Sequence, residues 1–312
     1  MRIMRFLPVL LLASLPSVLW AEFSPGDVPA GSAWYFHADF DEMRTTEAGR
    51  HLYGWLQQEV FDELRDETGV DLDKEADRIT ASGSSDKNLI AVIEGNISQA
   101  TQDKVLALGA ASGAMDKLES GGSTYYFVKD DGSHDSYQGS GEGEAEYSMD
   151  SIGDGAYFSF AIKNKILVTT TEADMTRALA NGGKGAAGGD PSASMLVLSA
   201  ERSLVQAGVV TSEFEDQIGW DSNIIRNAQQ VALLVADAGD KFDIQAQLLS
   251  AEKEMAESLA SIVRGLISLQ VFNDELDPDI AAFLQSTSVD VDGAKLTIKV
   301  ALDAAMAIAA MD

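Results

Sequence analysis

His37, Asp39 and Asp41 alternate along the chain, and His51 follows shortly after. Alternate residues of an extended chain point to one side. Two imidazoles and two carboxylates are a ligand set for a zinc- or manganese-like ion. His37, Asp39 and His51 therefore carry one reading of the chain, a metal-dependent hydrolase. Asp71, Asp73, Glu75 and Asp77 alternate in the same way, so weak divalent cation binding is an expectation there and in the acidic stretch 130–154. Asp290-Val291-Asp292-Gly293 imitates a calcium loop. With Gly293 at the sixth position, that loop would end on Lys299, where a bidentate Glu belongs. Ser140 stands between Gly139 and Gly141, without the Gly-x-Ser-x-Gly pattern of a nucleophile turn. Gly182-Gly183-Lys184-Gly185 is not the phosphate-loop pattern, and no apolar strand runs straight into it. No catalytic residue is assigned, and no resident cofactor is called for.

Composition narrows the classes further. The 312 residues are 46% hydrophobic, which suits a folded chain. There is no cysteine, so disulfides, thiolate metal sites and thiol nucleophiles are excluded. Lys plus Arg number 22 and Asp plus Glu 50, a formal net charge of −28. Such a surface repels nucleic acid and anionic headgroups. Arg2 and Arg5 precede an apolar run from Phe6 to about Leu12, and Ala21 precedes the acidic Glu22. This is the layout of a signal peptide over residues 1–21, cleaved after Ala21. The expected location is periplasmic or extracellular. No stable membrane insertion is expected, because the most apolar helical stretch, 251–271, carries Glu252, Glu254, Glu257 and Arg264.

The elements that must position these residues fall into two halves, 22–180 and 195–312. A Gly-rich run over 181–194 links them. The first half reads as a strand at 33–40, a helix at 46–68 with Leu52, Trp55, Leu56, Val60 and Leu64 inward, and a stop at Gly69. Strands at 78–83 and 88–95 follow, then a helix from Ser98 and a strand at 124–128. An acidic loop over 129–154 leads to strands at 156–162 and 165–170 and a helix opening at Thr171. The second half reads as a strand at 195–198, a helical stretch from near Glu201 that ends somewhere before Val231, strands at 231–236 and 242–249, then a helix capped by Ser250. Met255, Leu259, Ile262, Val263, Leu266 and Ile267 form its inward stripe. Asp277-Pro278 opens a short helix, and the hairpin 287–291/294–302 turns at Asp292-Gly293. Trp220 lies in a stretch, 209–230, that the pattern leaves open between a helical cap and a binding lip. The order β-α-β-β-α-β recurs in both halves. The fold expected is α+β: two related ferredoxin-like halves with mainly antiparallel sheets and helices on one face.

Val28-Pro29-Ala30 before Ala33-Trp34-Tyr35-Phe36, then Gly49-Arg50 and Gly69-Val70-Asp71, resembles the entry of a loose set of uncharacterised exported bacterial proteins with a duplicated α+β layout. The resemblance covers mainly residues 28–110 and implies no activity. The expectation is an exported non-enzymatic protein that binds an unknown protein or small ligand on the open face of its sheet. A cell-envelope scaffold is the remaining alternative.

Overall fold

A computed structural model describes residues 31–85, 87–111, 113–129, 155–183, 194–206, 228–271 and 284–309. One twelve-stranded antiparallel sheet runs through them in the order β11-β12-β10-β9-β8-β1-β2-β3-β7-β6-β5-β4. The chain is α+β with a large antiparallel sheet, as expected. The two sheets expected are one, because β1 (Trp34–Asp39) of the first half pairs in antiparallel fashion with β8 (Leu196–Glu201) of the second. The ferredoxin-like order is not the observed one. There, the helix after the first strand crosses over a neighbour; here α1–α3 return the chain to β2 (Ala76–Gly83), directly beside β1.

On either side of the β1–β8 junction the order is similar. The first half continues through β2, β3 (Ile90–Gly95), β7 (Lys165–Thr169) and β6 (Gly155–Ser159). The second continues through β9 (Gln230–Asp237), β10 (Lys241–Leu249), β12 (Lys295–Asp303) and β11 (Ser288–Asp292). The first half adds an outer hairpin of β4 (Met115–Ser120) and β5 (Ser123–Lys129).

The sheet has two unlike faces. Phe36 and Ala38 mark a helical face. Ala38 clusters there with Phe40, Met43, Ala48, Phe61, Met195, Phe242 and Ala304, drawn from both halves. The helices concerned are α1 (Phe40–Thr45), α2 (Glu47–Leu56), α3 (Asp62–Thr68) and α8 (Ala304–Ala309). On the same face α7 (Lys253–Val271) buries Leu259, Ala260 and Val263 against Val289 and Leu296. α4 (Gln99–Ala111) caps its own start through Ser98, whose Oγ accepts from Thr101 N at 3.2 Å.

Tyr35 and His37 mark the opposite, histidine face. The expectation of helices on one face fails at its first-half end. There α5 (Glu172–Ala180) packs Met175 and Ala178 on Val92, Leu167 and Tyr125.

The predicted 46–68 helix is broken. A π turn over Gln57–Phe61 separates α2 from α3. The wider turn inserts a residue, so the inward position after Leu56 falls on Phe61. Val60, assigned inward by the 3.6-residue period, is 47% exposed. Gly69 ends the helix at φ 66°, as its position predicts. In α7 the predicted stripe is too wide: Ile262 and Leu266 are exposed. Ser250 does not cap that helix. Its Oγ donates to Glu252 O at 2.7 Å and Ala294 O at 2.9 Å, tying the helix entry to the β11–β12 turn. The acidic stretch 130–154, Trp220, Asp277-Pro278, most of the Gly-rich run and residues 1–21, read above as a signal peptide, lie outside the described residues.

Candidate functional site

The proposed metal ligands have separate duties. His37 is 3% exposed, and its Nδ1 lies 3.1 Å from Thr80 Oγ1 on the paired strand β2. Asp39 caps α1 by accepting from Glu42 N at 2.9 Å, and its other oxygen takes Arg78 Nε at 2.9 Å. His51 is exposed on α2, and Asp41 is exposed in the first turn of α1. Among the described residues, no three His, Asp or Glu side chains gather as a metal site would require.

The alternating acids 71–77 are likewise in use. Asp73 N donates to Asp71 Oδ1 at 3.2 Å, and Tyr53 Oη donates to the Asp73 carboxylate and, at 2.5 Å, to its carbonyl oxygen. Burial, with the Asp73 bond second, pushes the Tyr53 phenol up to about 12. Gln57 Nε2 donates to the same carboxylate at 3.3 Å. Arg44 pairs with Asp77 at 3.3 Å, donates to Asp73 O at 2.9 Å, and lies 5.0 Å over the Tyr53 ring. Glu75 accepts from Ser98 N at 2.9 Å. Desolvation opposes ionisation of Glu75, but the Ser98 and Thr101 bonds prevail and hold its carboxyl below the ordinary value. A cleft of about 320 Å³ beside it is lined by Asp71, Lys74, Thr101 and Lys104 among others. Lys104 there donates to Gly69 O. Apart from Arg44 Nε, which is buried without a partner, these groups satisfy one another.

The histidine face of the second half is different. On β10 the residues pointing to that face are Asp243, Gln245 and Gln247, beside Ala236, Leu234 and Ala232 of β9. The opposite neighbours on β12 are Ala301, Lys299 and Thr297. Asp243 is 7% exposed, Gln245 2% and Gln247 7%. Yet Asp243 Oδ1, Gln245 Oε1 and Gln247 Nε2 are buried with no hydrogen-bond partner. Each such group costs about 1–3 kcal/mol, so three cost roughly 3–9 kcal/mol. That is comparable to the 5–15 kcal/mol net stability of an ordinary domain. Burial raises the Asp243 carboxyl above its ordinary value, and the Lys299 ammonium opposes that rise. Further along the same face, Ser199 and Gln230 are satisfied: Gln230 Nε2 donates to Ser199 Oγ at 3.0 Å. Among the described residues no helix covers β9, β10 and β12 on this side, since α7 and α8 both pack on the other.

Sequence reasoning missed this strip. The alternation of Phe242, Ile244, Ala246 and Leu248 with Asp243, Gln245 and Gln247 reads as a strand with one wet face. The polar side proves to be the more buried one. The unusual signal was two Gln and one Asp on successive same-side positions of a central strand.

No protein-family model matches the chain. No curated protein matches it either. Among solved structures, the one titled "Structure of crystal form I of TP0453" is 10% identical, with a TM-score of 0.46, covering 93% of this chain and 97% of that one. "Structure of crystal form III of TP0453" is 11% identical with a TM-score of 0.47, covering 93% and 98%. Likeness of that degree carries nothing over to this chain.

Proposed function

We propose that this chain is an exported, non-enzymatic binding protein whose ligand site is the polar strip of β10. Three buried, unpartnered polar atoms on one face of one strand carry the reading. A fold keeps such groups at a cost, and a ligand that completes their hydrogen bonds offsets it. The neighbours of the strip, Ala232 and Ala236 on one side and Ala301 on the other, are small. The layout of residues 1–21 supports export, and the net charge of −28 supports a partner that is not a polyanion. We read the similar strand order on the two sides of the β1–β8 junction as a duplicated unit.

Thermal unfolding of the mature chain in the presence of sugars, amino acids, nucleosides and amines tests the reading. A ligand at one hundred times its Kd adds about 2.7 kcal/mol. The shift is expected in the wild-type chain and lost in Gln245→Met/Gln247→Met. Equal shifts in both proteins overturn the strip as the site. Cell fractionation tests export: a product starting at Glu22 outside the cytoplasm is expected, and a full-length cytoplasmic product overturns it.

A further inference from the structure

We propose that the strip takes a small, neutral polyhydroxylated molecule, a monosaccharide or polyol; this rests on the binding reading above. The unmet atoms are two acceptors, Asp243 Oδ1 and Gln245 Oε1, and one donor, Gln247 Nε2. An amine satisfies only the acceptors, and it must approach a strip that already carries Lys299 opposite Gln245. A carboxylate satisfies only the donor and meets the Asp243 charge. A hydroxyl both donates and accepts, so one kind of group serves all three atoms. Charge agrees with this: Asp243 and Lys299, two residues out of register on the same face of adjacent strands, offset one another in the strip.

Spacing agrees as well. Successive same-face residues of a strand lie about 6.8 Å apart, so Asp243 to Gln247 spans roughly 14 Å along the backbone, and a ligand with several hydroxyls is needed to meet more than one of the three side chains. Thr297, opposite Gln247, adds a hydroxyl at one end of the strip. Leu234, opposite Gln245, offers an apolar contact for the carbon skeleton. A polyol presents this mixture of donors, acceptors and C–H surface; a simple ion does not.

Isothermal titration of the mature chain with D-glucose, D-galactose, D-mannose, D-ribose and myo-inositol tests the assignment, with 1,4-diaminobutane and sodium succinate as charged probes. At least one polyol is expected to bind. Asp243→Asn and Gln247→Met, checked as folded by circular dichroism, are each expected to weaken it at least tenfold. Asp243→Asn is close to isosteric and retains the shape of the strip. Removing one bonded hydroxyl from the selected polyol is expected to weaken binding by a similar factor. Binding of the diamine or succinate alone overturns the polyol assignment and leaves the strip a ligand site. Polyol binding that both variants retain overturns the assignment to this strip. Binding by none of the probes overturns the polyol assignment. If the broader thermal panel is also silent, the binding reading falls with it.

Discussion

Gln245→Met is the perturbation that separates a ligand site from a structural core. Gln245 is 2% exposed, and its Oε1 is buried without a partner. Met is close in length and volume, so packing against Leu234 changes little. The substitution removes an amide whose lost hydration is uncompensated, worth about 1–3 kcal/mol. For a chain of this size about 3 °C of Tm corresponds to 1 kcal/mol, so Tm should rise by roughly 3–9 °C. Circular dichroism melts of residues 22–312 without ligand, at pH 7 and equal protein concentration, read the change directly. Stability should rise while ligand response falls, the exchange expected of a residue kept for function. A fall in Tm of more than about 2 °C is the opposite result. It would mean that the Gln245 amide is bonded in solution and belongs to the fold.

Other consequences follow from particular contacts. The folded Asp243 carboxyl titrates above the ordinary aspartate value of about 3.9, so its contribution favours folding at low pH and is lost as pH rises through that window. Asp243→Asn should therefore gain stability relative to the wild type at pH 7 and show no such gain near pH 3, read from urea unfolding at the two pH values. Asp39→Ala removes both the α1 cap and the Arg78 partner and should cost about 1–2 kcal/mol by the same assay. His51→Ala, on an exposed position of α2, should leave Tm within about 1 °C. Gly95→Ala would place a Cβ on the Glu75 carbonyl oxygen and the Ala76 backbone; a loss above 2 kcal/mol is expected, where a neutral result would mean that the β2 bulge beside it yields easily.

Much of the fold was legible because local chemistry dictated it. Gly69 stops the helix in the left-handed conformation, Thr171 caps α5 by accepting from Asp174 N, and Gly293 turns the last hairpin at φ 57°. β4 was missed because Met115–Ser120 is a sheet edge with Asp116, Lys117 and Glu119 outward, so it lacks the apolar alternation that marks a half-buried strand. The π turn that replaces Val60 by Phe61 has no composition cue of its own. The joining of the halves through β1 and β8 depends on long-range pairing, which no local pattern encodes. The metal candidates failed to assemble for a related reason. Alternation placed His37 and Asp39 on one side correctly, but Thr80 and Arg78, from a strand about forty residues on, took up both side chains. The β10 strip went unread because periodicity tells which residues share a side and is silent on which side is buried.

On this reading Asp243, Gln245 and Gln247 are held for a ligand. Side-chain amide spectra of ¹⁵N-labelled residues 22–312 test this, with the two resonances assigned by the Gln245→Met and Gln247→Met variants. On addition of the ligand selected by titration, both amides should shift in a saturable way at one ligand per chain. Saturable shifts that spare these two amides and cluster elsewhere would contradict the account.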